Sequence, residues 1–220
     1  RNEVDDISPL ASLTNLTSLQ LSENFITGIS ALASLTSLTS LKLWDNQISD
    51  LSPLSHLTSL TSVDLDKNQI KDITPLSSLI TLSQLDLSDN QITDISTLSS
   101  LASLTNLTIK TNRITDISPL SSLTQLKTLS LGYNPISNFS PLSSLNSLER
   151  LYNWGNQIGD LSVLSSLTSL TSLDLDGNEI RDIAPLSTLT NLTYLVLSDN
   201  NISDISCATV VNILKELDLV

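Results

Sequence analysis

The asparagine that closes an L-x-L-x-x-N unit recurs at Asn24, Asn46, Asn68, Asn90, Asn112, Asn134, Asn156, Asn178 and Asn200, always 22 residues apart. The apolar position five residues ahead keeps the same step, at Leu19, Leu41, Val63, Leu85, Leu107, Leu129, Leu151, Leu173, Leu195 and Leu217. No insertion or deletion breaks the period. A chain with this register folds as stacked coils, because one such unit buries too little by itself and stacking makes a continuous core. The expectation is a single array over residues 1–220, about ten units long, with no room for a second domain.

One unit, Ile48 to Gln69 (ISDLSPLSHLTSLTSVDLDKNQ), shows the local chemistry. Its V-D-L piece alternates as a strand with one buried face must. The Asn that follows is polar at an otherwise apolar register, which suits a side chain turned inward to bond the backbone of the next coil. Leucines then come every third residue (Leu51, Leu54, Leu57, Leu60), a spacing that fits a short 3₁₀ return better than an α-helix. An acid recurs ahead of the return, at Asp6, Asp50, Asp72, Asp94, Asp116, Asp160, Asp182 and Asp204. Two or three residues before a frequent Pro, it reads as an N-cap. A calcium-binding Asp ladder is the competing reading.

Composition adds exclusions. The formal charge of -13 argues against phosphate backbones and anionic membrane surfaces as partners. Setting those eight aspartates aside brings -13 to -5, so much of the acidity is one capping habit repeated. No apolar run approaches a membrane span, and no secretion-signal pattern opens the chain. The single cysteine, Cys207, permits no internal disulfide and reads as an inert thiol. His56, the one histidine, sits at a variable position of the return, and no phosphate loop or metal-ligand spacing stands out. The chain is expected to be no enzyme and to need no cofactor or metal.

The unit I-x-D-[IL]-S-P-L-x-x-L-T-x-L-x-x-L-x-L-x-x-N-Q resembles the leucine-rich repeat of bacterial internalins and internalin-like surface proteins. Residues 114–135 (ITDISPLSSLTQLKTLSLGYNP) and the unit at 48–69 match it nearly throughout. The resemblance implies an α/β-type solenoid: a leucine-rich-repeat right-handed superhelix with a concave parallel β-sheet and convex 3₁₀ or loop returns. It also implies protein recognition on the concave face and a secreted or bacterial cell-surface location. Against complete internalins, the array reads as truncated at both ends, with its caps, signal and anchor lying outside this segment. Repeats of this length also resemble those of eukaryotic phosphatase regulators, which leaves an intracellular scaffold as an alternative. Threonine ladders such as Thr14/Thr17, Thr36/Thr39 and Thr58/Thr61 raise ice binding as another, although Lys127 and Glu149 interrupt the array.

Because fold-determined positions repeat, individuality lies where exposed registers break the pattern. The first outward strand register carries Lys42, Asp64, Asp86, Tyr152 and Asp174, and the second carries Trp44, Asp66, Trp154 and Asp176. Arg150 and Tyr194 stand just before their strands, and Tyr133 lies two positions after Leu131. Both tryptophans and all three tyrosines thus fall on strand-face registers. Exposed aromatics beside charges are what protein-binding hot spots are made of. The predicted partner-binding residues are Tyr133, Arg150, Tyr152, Trp154, Asp174 and Asp176, with a smaller patch at Lys42 and Trp44, and Tyr194 beyond. The expected partner is a protein such as a host or cell-surface receptor, bound by a monomer, without nucleic acid or membrane insertion. Within the stretch LYNWGN (151–156), Asn153 occupies a leucine register and is expected to point into the core.

Overall fold

A computed structural model describes residues 2–205 and 216–218. Ten three-residue strands form one parallel sheet in chain order. They are β1 (Ser18–Gln20), β2 (Ser40–Lys42), β3 (Ser62–Asp64), β4 (Gln84–Asp86), β5 (Asn106–Thr108), β6 (Thr128–Ser130), β7 (Arg150–Tyr152), β8 (Ser172–Asp174), β9 (Tyr194–Val196) and β10 (Glu216–Asp218). Each pairs with the residue one period later, as in Leu85↔Leu107 and Leu129↔Leu151. The central residue of each strand from β2 to β9 is buried, while its neighbours face the open, concave side of the solenoid.

The returns are 3₁₀ turns, for example Thr74–Ser78 and Ser118–Ser122, as the three-residue leucine spacing predicts. In the third coil Leu54 N donates to Leu51 O, Leu57 N to Leu54 O and Leu60 N to Leu57 O, all at 2.9–3.0 Å. The leucine amides close the i→i+3 bonds while the leucine side chains, stacked by a three-residue turn, fill the interior.

The recurring aspartate stands one residue farther out than an N-cap. The residue directly before each turn is Ile, Leu or Phe and makes no side-chain bond. The Asp ahead of it does the capping: Asp6, Asp50, Asp72, Asp94, Asp116, Asp160 and Asp182 each accept the N–H two residues on, at 2.8 Å. These backbone N–H groups, with help from a Ser or Thr hydroxyl, hold Asp6, Asp72, Asp116 and Asp160 below the usual carboxylate range. Stability from these four is complete above their ordinary range and is lost as pH falls through their lowered values.

The asparagine ladder forms as expected. Asn68 Oδ1 accepts from Ile48 N at 2.9 Å, and its Nδ2 faces Leu43 O, Leu65 O and Asp66 O at 3.0–3.1 Å. Threonine hydroxyls are likewise committed between coils: Thr39, Thr61 and Thr105 each reach a carbonyl of the preceding coil at 3.0–3.1 Å. Bonds of this kind explain the small polar residues without appeal to a flat external face. Among the described residues no helix is long and apolar enough to cross a membrane. Cys207 lies outside the described residues.

Candidate functional site

β7 and its neighbours place the predicted residues on the concave side. Tyr152 pairs in register between Ser130 and Asp174, and Arg150 between Thr128 and Ser172. Two residues on, Trp154 lies beside Gly132 and Asp176 in the adjoining coils. Tyr152 and Trp154 meet edge to face, with ring centroids 5.8 Å apart and planes at 60°. Arg150 stays exposed, its guanidinium 4.0 Å from Glu149, which also pairs with Lys127 at 3.2 Å.

Two glycines seat the rings, and sequence reasoning missed both. A Cβ on Gly132 would lie 2.6 Å from Trp154 Nε1, so the indole lies directly against that backbone. A Cβ on Gly155 would lie 2.5 Å from Tyr133 Cδ1. The seats are reciprocal: Gly132 and Tyr133 accept and supply a ring one period from Trp154 and Gly155. The signal was present in the sequence, since G-Y and W-G fall 22 residues apart. The residue before each ladder Asn has positive φ, from 49° to 62°, and both Tyr133 and Gly155 occupy that position. That backbone projects Tyr133 outward, and it is 57% exposed.

Asn153 points into the core and is fully buried. The strand is not displaced there, because Asn153 N still donates to Asp174 O at 2.8 Å. The ladder is diverted instead. Asn156 Nδ2 turns to Asn153 Oδ1 at 2.7 Å, and Asn156 Oδ1 takes Asn134 N rather than an isoleucine N–H. Asn153 Nδ2 is left without a partner, which costs about 1–3 kcal/mol.

The smaller patch is polar. Lys42, Asp64 and Asp86 succeed one another in register along β2, β3 and β4, and Trp44 is half-buried beside Asp66. Tyr194 opens β9, in register with Ser172 and thus next but one to Arg150. Phe139 is buried in place of a core Ile, whereas Phe25 is exposed. His56 is exposed on the opposite side, 3.0 Å from Ser55 Oγ. Among the described residues no group of His, Cys, Asp or Glu is placed to hold a metal ion.

Burial pushes the Asp66 carboxyl up to about 6, with the charges of Asp86 and Asp89 adding to it. A carboxyl raised in the fold binds its proton there more readily than in the unfolded chain, so it lowers stability as pH rises from about 4 to about 6. Asp66→Asn is therefore expected to raise the melting temperature at pH 7. After allowance for solvent screening the gain is on the order of 1 kcal/mol, or about 2–4 °C. It should vanish by pH 4, as a pair of thermal melts at the two pH values would show.

The profile described as "Leucine Rich repeats (2 copies)" matches residues 36–78, 80–122, 146–188 and 168–207. The internalin InlC2 of Listeria monocytogenes shares 34% identity over 96% of this chain and 84% of its own, with a TM-score of 0.74. The chain belongs to the internalin-type leucine-rich-repeat family. Internalin InlF of the same organism is 40% identical over 98% of the chain, with a TM-score of 0.95. The functional domain of Listeria InlJ, which includes a cysteine ladder, is 31% identical over 97% of the chain, with a TM-score of 0.85. This internalin-type array spans 64% of the InlF chain and 46% of the InlJ chain. No curated protein sequence matches it. A leucine-rich-repeat array of this type is a protein-interaction module, and its repeats supply the frame on which Trp154 and its neighbours stand.

Proposed function

We propose that this is a non-catalytic recognition module that binds a protein on its concave sheet, acting as an adhesion domain secreted from or displayed on a bacterial cell. The observation that carries the reading is the aromatic group of Tyr133, Tyr152 and Trp154, two of whose rings are seated on glycine backbone. Rigid seating keeps large amphipathic rings half out of the core at little entropic cost on binding, which is the makeup of a hot spot. Arg150, Asp174 and Asp176 surround the rings and supply polar complementarity. The location follows the internalin relatives. Lys42 and Trp44 form a second contact, and Tyr194 extends the first along the sheet.

Tyr152→Ala combined with Trp154→Ala is expected to weaken binding of the protein partner about 1,000-fold, since central aromatic anchors each contribute about 2 kcal/mol or more. Trp44→Ala alone should weaken it less. Titration calorimetry on the three proteins would decide. Unchanged affinity in the double variant, with binding abolished by Trp44→Ala, would overturn the assignment of the principal anchors.

A further inference from the structure

Four buried side-chain polar atoms among the described residues have no hydrogen-bond partner: Ser22 Oγ, Asp66 Oδ1, Ser130 Oγ and Asn153 Nδ2. They fall in two places. Ser22 stands one period before Trp44, and Asp66 one period after it. Ser130 is paired with Tyr152, and Asn153 lies between Tyr152 and Trp154. Ser130 is 4% exposed, yet its register is the concave one, so its unpaired hydroxyl belongs to the aromatic site.

These two places also share a pattern. In each, a Trp at the second concave register is followed one coil later by Asp-Leu-Asp: Trp44 by Asp64 and Asp66, Trp154 by Asp174 and Asp176. The two acidic pairs fold alike, Asp66 N donating to Asp64 Oδ1 at 3.3 Å and Asp176 N to Asp174 Oδ1 at 3.2 Å. The ion pairs among the described residues join Lys127 and Arg150 to Glu149, and neither reaches these four carboxylates. An indole, two carboxylates without a salt bridge and two buried polar atoms without a partner stand together twice along one sheet.

We propose that each Trp/Asp-Leu-Asp unit seats one arginine of the partner, so that a basic segment is gripped at two points. This rests on the recognition reading above and supplies its chemistry. A guanidinium stacks on an indole through its plane and offers N–H donors at its edge, matching the paired carboxylates one coil away. The two seats are five strands apart, about 24 Å at about 4.8 Å per strand. An extended segment covers that distance in about seven residues.

The test uses synthetic peptides with either two arginines seven residues apart or one arginine, titrated by calorimetry and by tryptophan emission in Trp44→Phe and Trp154→Phe. The two-arginine peptide is expected to bind at least about tenfold more tightly than the one-arginine peptide, as intramolecular capture of the second arginine demands. Emission should change in both single-tryptophan proteins. Asp66→Asn with Asp176→Asn should weaken binding at least about tenfold, whereas the charge-matched Glu3→Gln with Glu179→Gln should change it less than about twofold. Equal losses in the two double variants would reduce the interaction to diffuse attraction and overturn the proposal. Equal affinity for the one-arginine and two-arginine peptides, or for lysine in place of arginine, would overturn it as well. A protein partner that needs Tyr152 and Trp154 but ignores Asp66→Asn with Asp176→Asn would sink the arginine seats alone and leave the recognition reading standing.

Discussion

Asn112→Ala is expected to lower stability by about 3–5 kcal/mol, seen as a fall of about 10 °C in the melting temperature of a chain this size. The side chain is 9% exposed and makes four bonds to backbone. Its Oδ1 accepts from Ile92 N at 2.9 Å, and its Nδ2 faces Leu87 O at 2.9 Å and Ile109 O and Lys110 O at 3.2 Å. Truncation leaves these groups in a leucine interior where water does not replace the lost partner, so the desolvation penalty is felt in full. Asn112 joins two coils in the middle of the array, and every coil depends on its neighbours. The same change at Asn200, which is less buried, should cost less. Equal losses at Asn112 and Asn200 in urea titrations would contradict a ladder whose importance follows its burial.

Gly155→Val is expected to lower stability by about 3 kcal/mol, combining a β-branched residue at positive φ with overpacking. The backbone there has φ +62°, a region that glycine enters freely and valine does not. The new side chain also meets the Tyr133 ring, whose Cδ1 and Cε1 would lie 2.5 Å from its Cβ. Tyr133 must leave its seat, so affinity for the partner should fall about tenfold even under conditions where the protein remains folded. Gly28→Ala is the control, because nothing lies within 4 Å of its added Cβ, and its effect should stay within about 0.5 kcal/mol. Chemical denaturation and a binding titration on the two variants would check both halves. A Gly155→Val protein with normal affinity would mean that the seat under Tyr133 is irrelevant to recognition.

The fold was legible because the physics repeats. The 22-residue step turned the ladder asparagines, Asn68 among them, inward toward the backbone of an adjacent coil, and the three-residue leucine row in Leu51 to Leu60 announced the 3₁₀ return. What failed was offset by one residue: aspartates such as Asp50 cap from outside the N-cap position, since the cap itself is the buried Leu51. Among the candidate residues, the register alone put Tyr152, Trp154, Asp174 and Asp176 side by side. It could not show that Trp154 and Tyr133 lie on glycine backbone, because contact between a ring and a neighbouring coil depends on rotamers that no periodicity encodes. The fate of Asn153 was half legible. Its burial followed from the register, but the diversion of Asn156 from an isoleucine amide to Asn134 N depends on side-chain geometry that no register fixes.

Amide hydrogen exchange of the protein with and without its bound partner tests the central claim most directly. Binding on the concave sheet should slow exchange at residues 130–133, 150–155 and 172–177 and leave the 3₁₀ returns near Ser118–Ser122 and Ser140–Ser144 unchanged. Protection confined to those returns, with the concave strands unaltered, would contradict it.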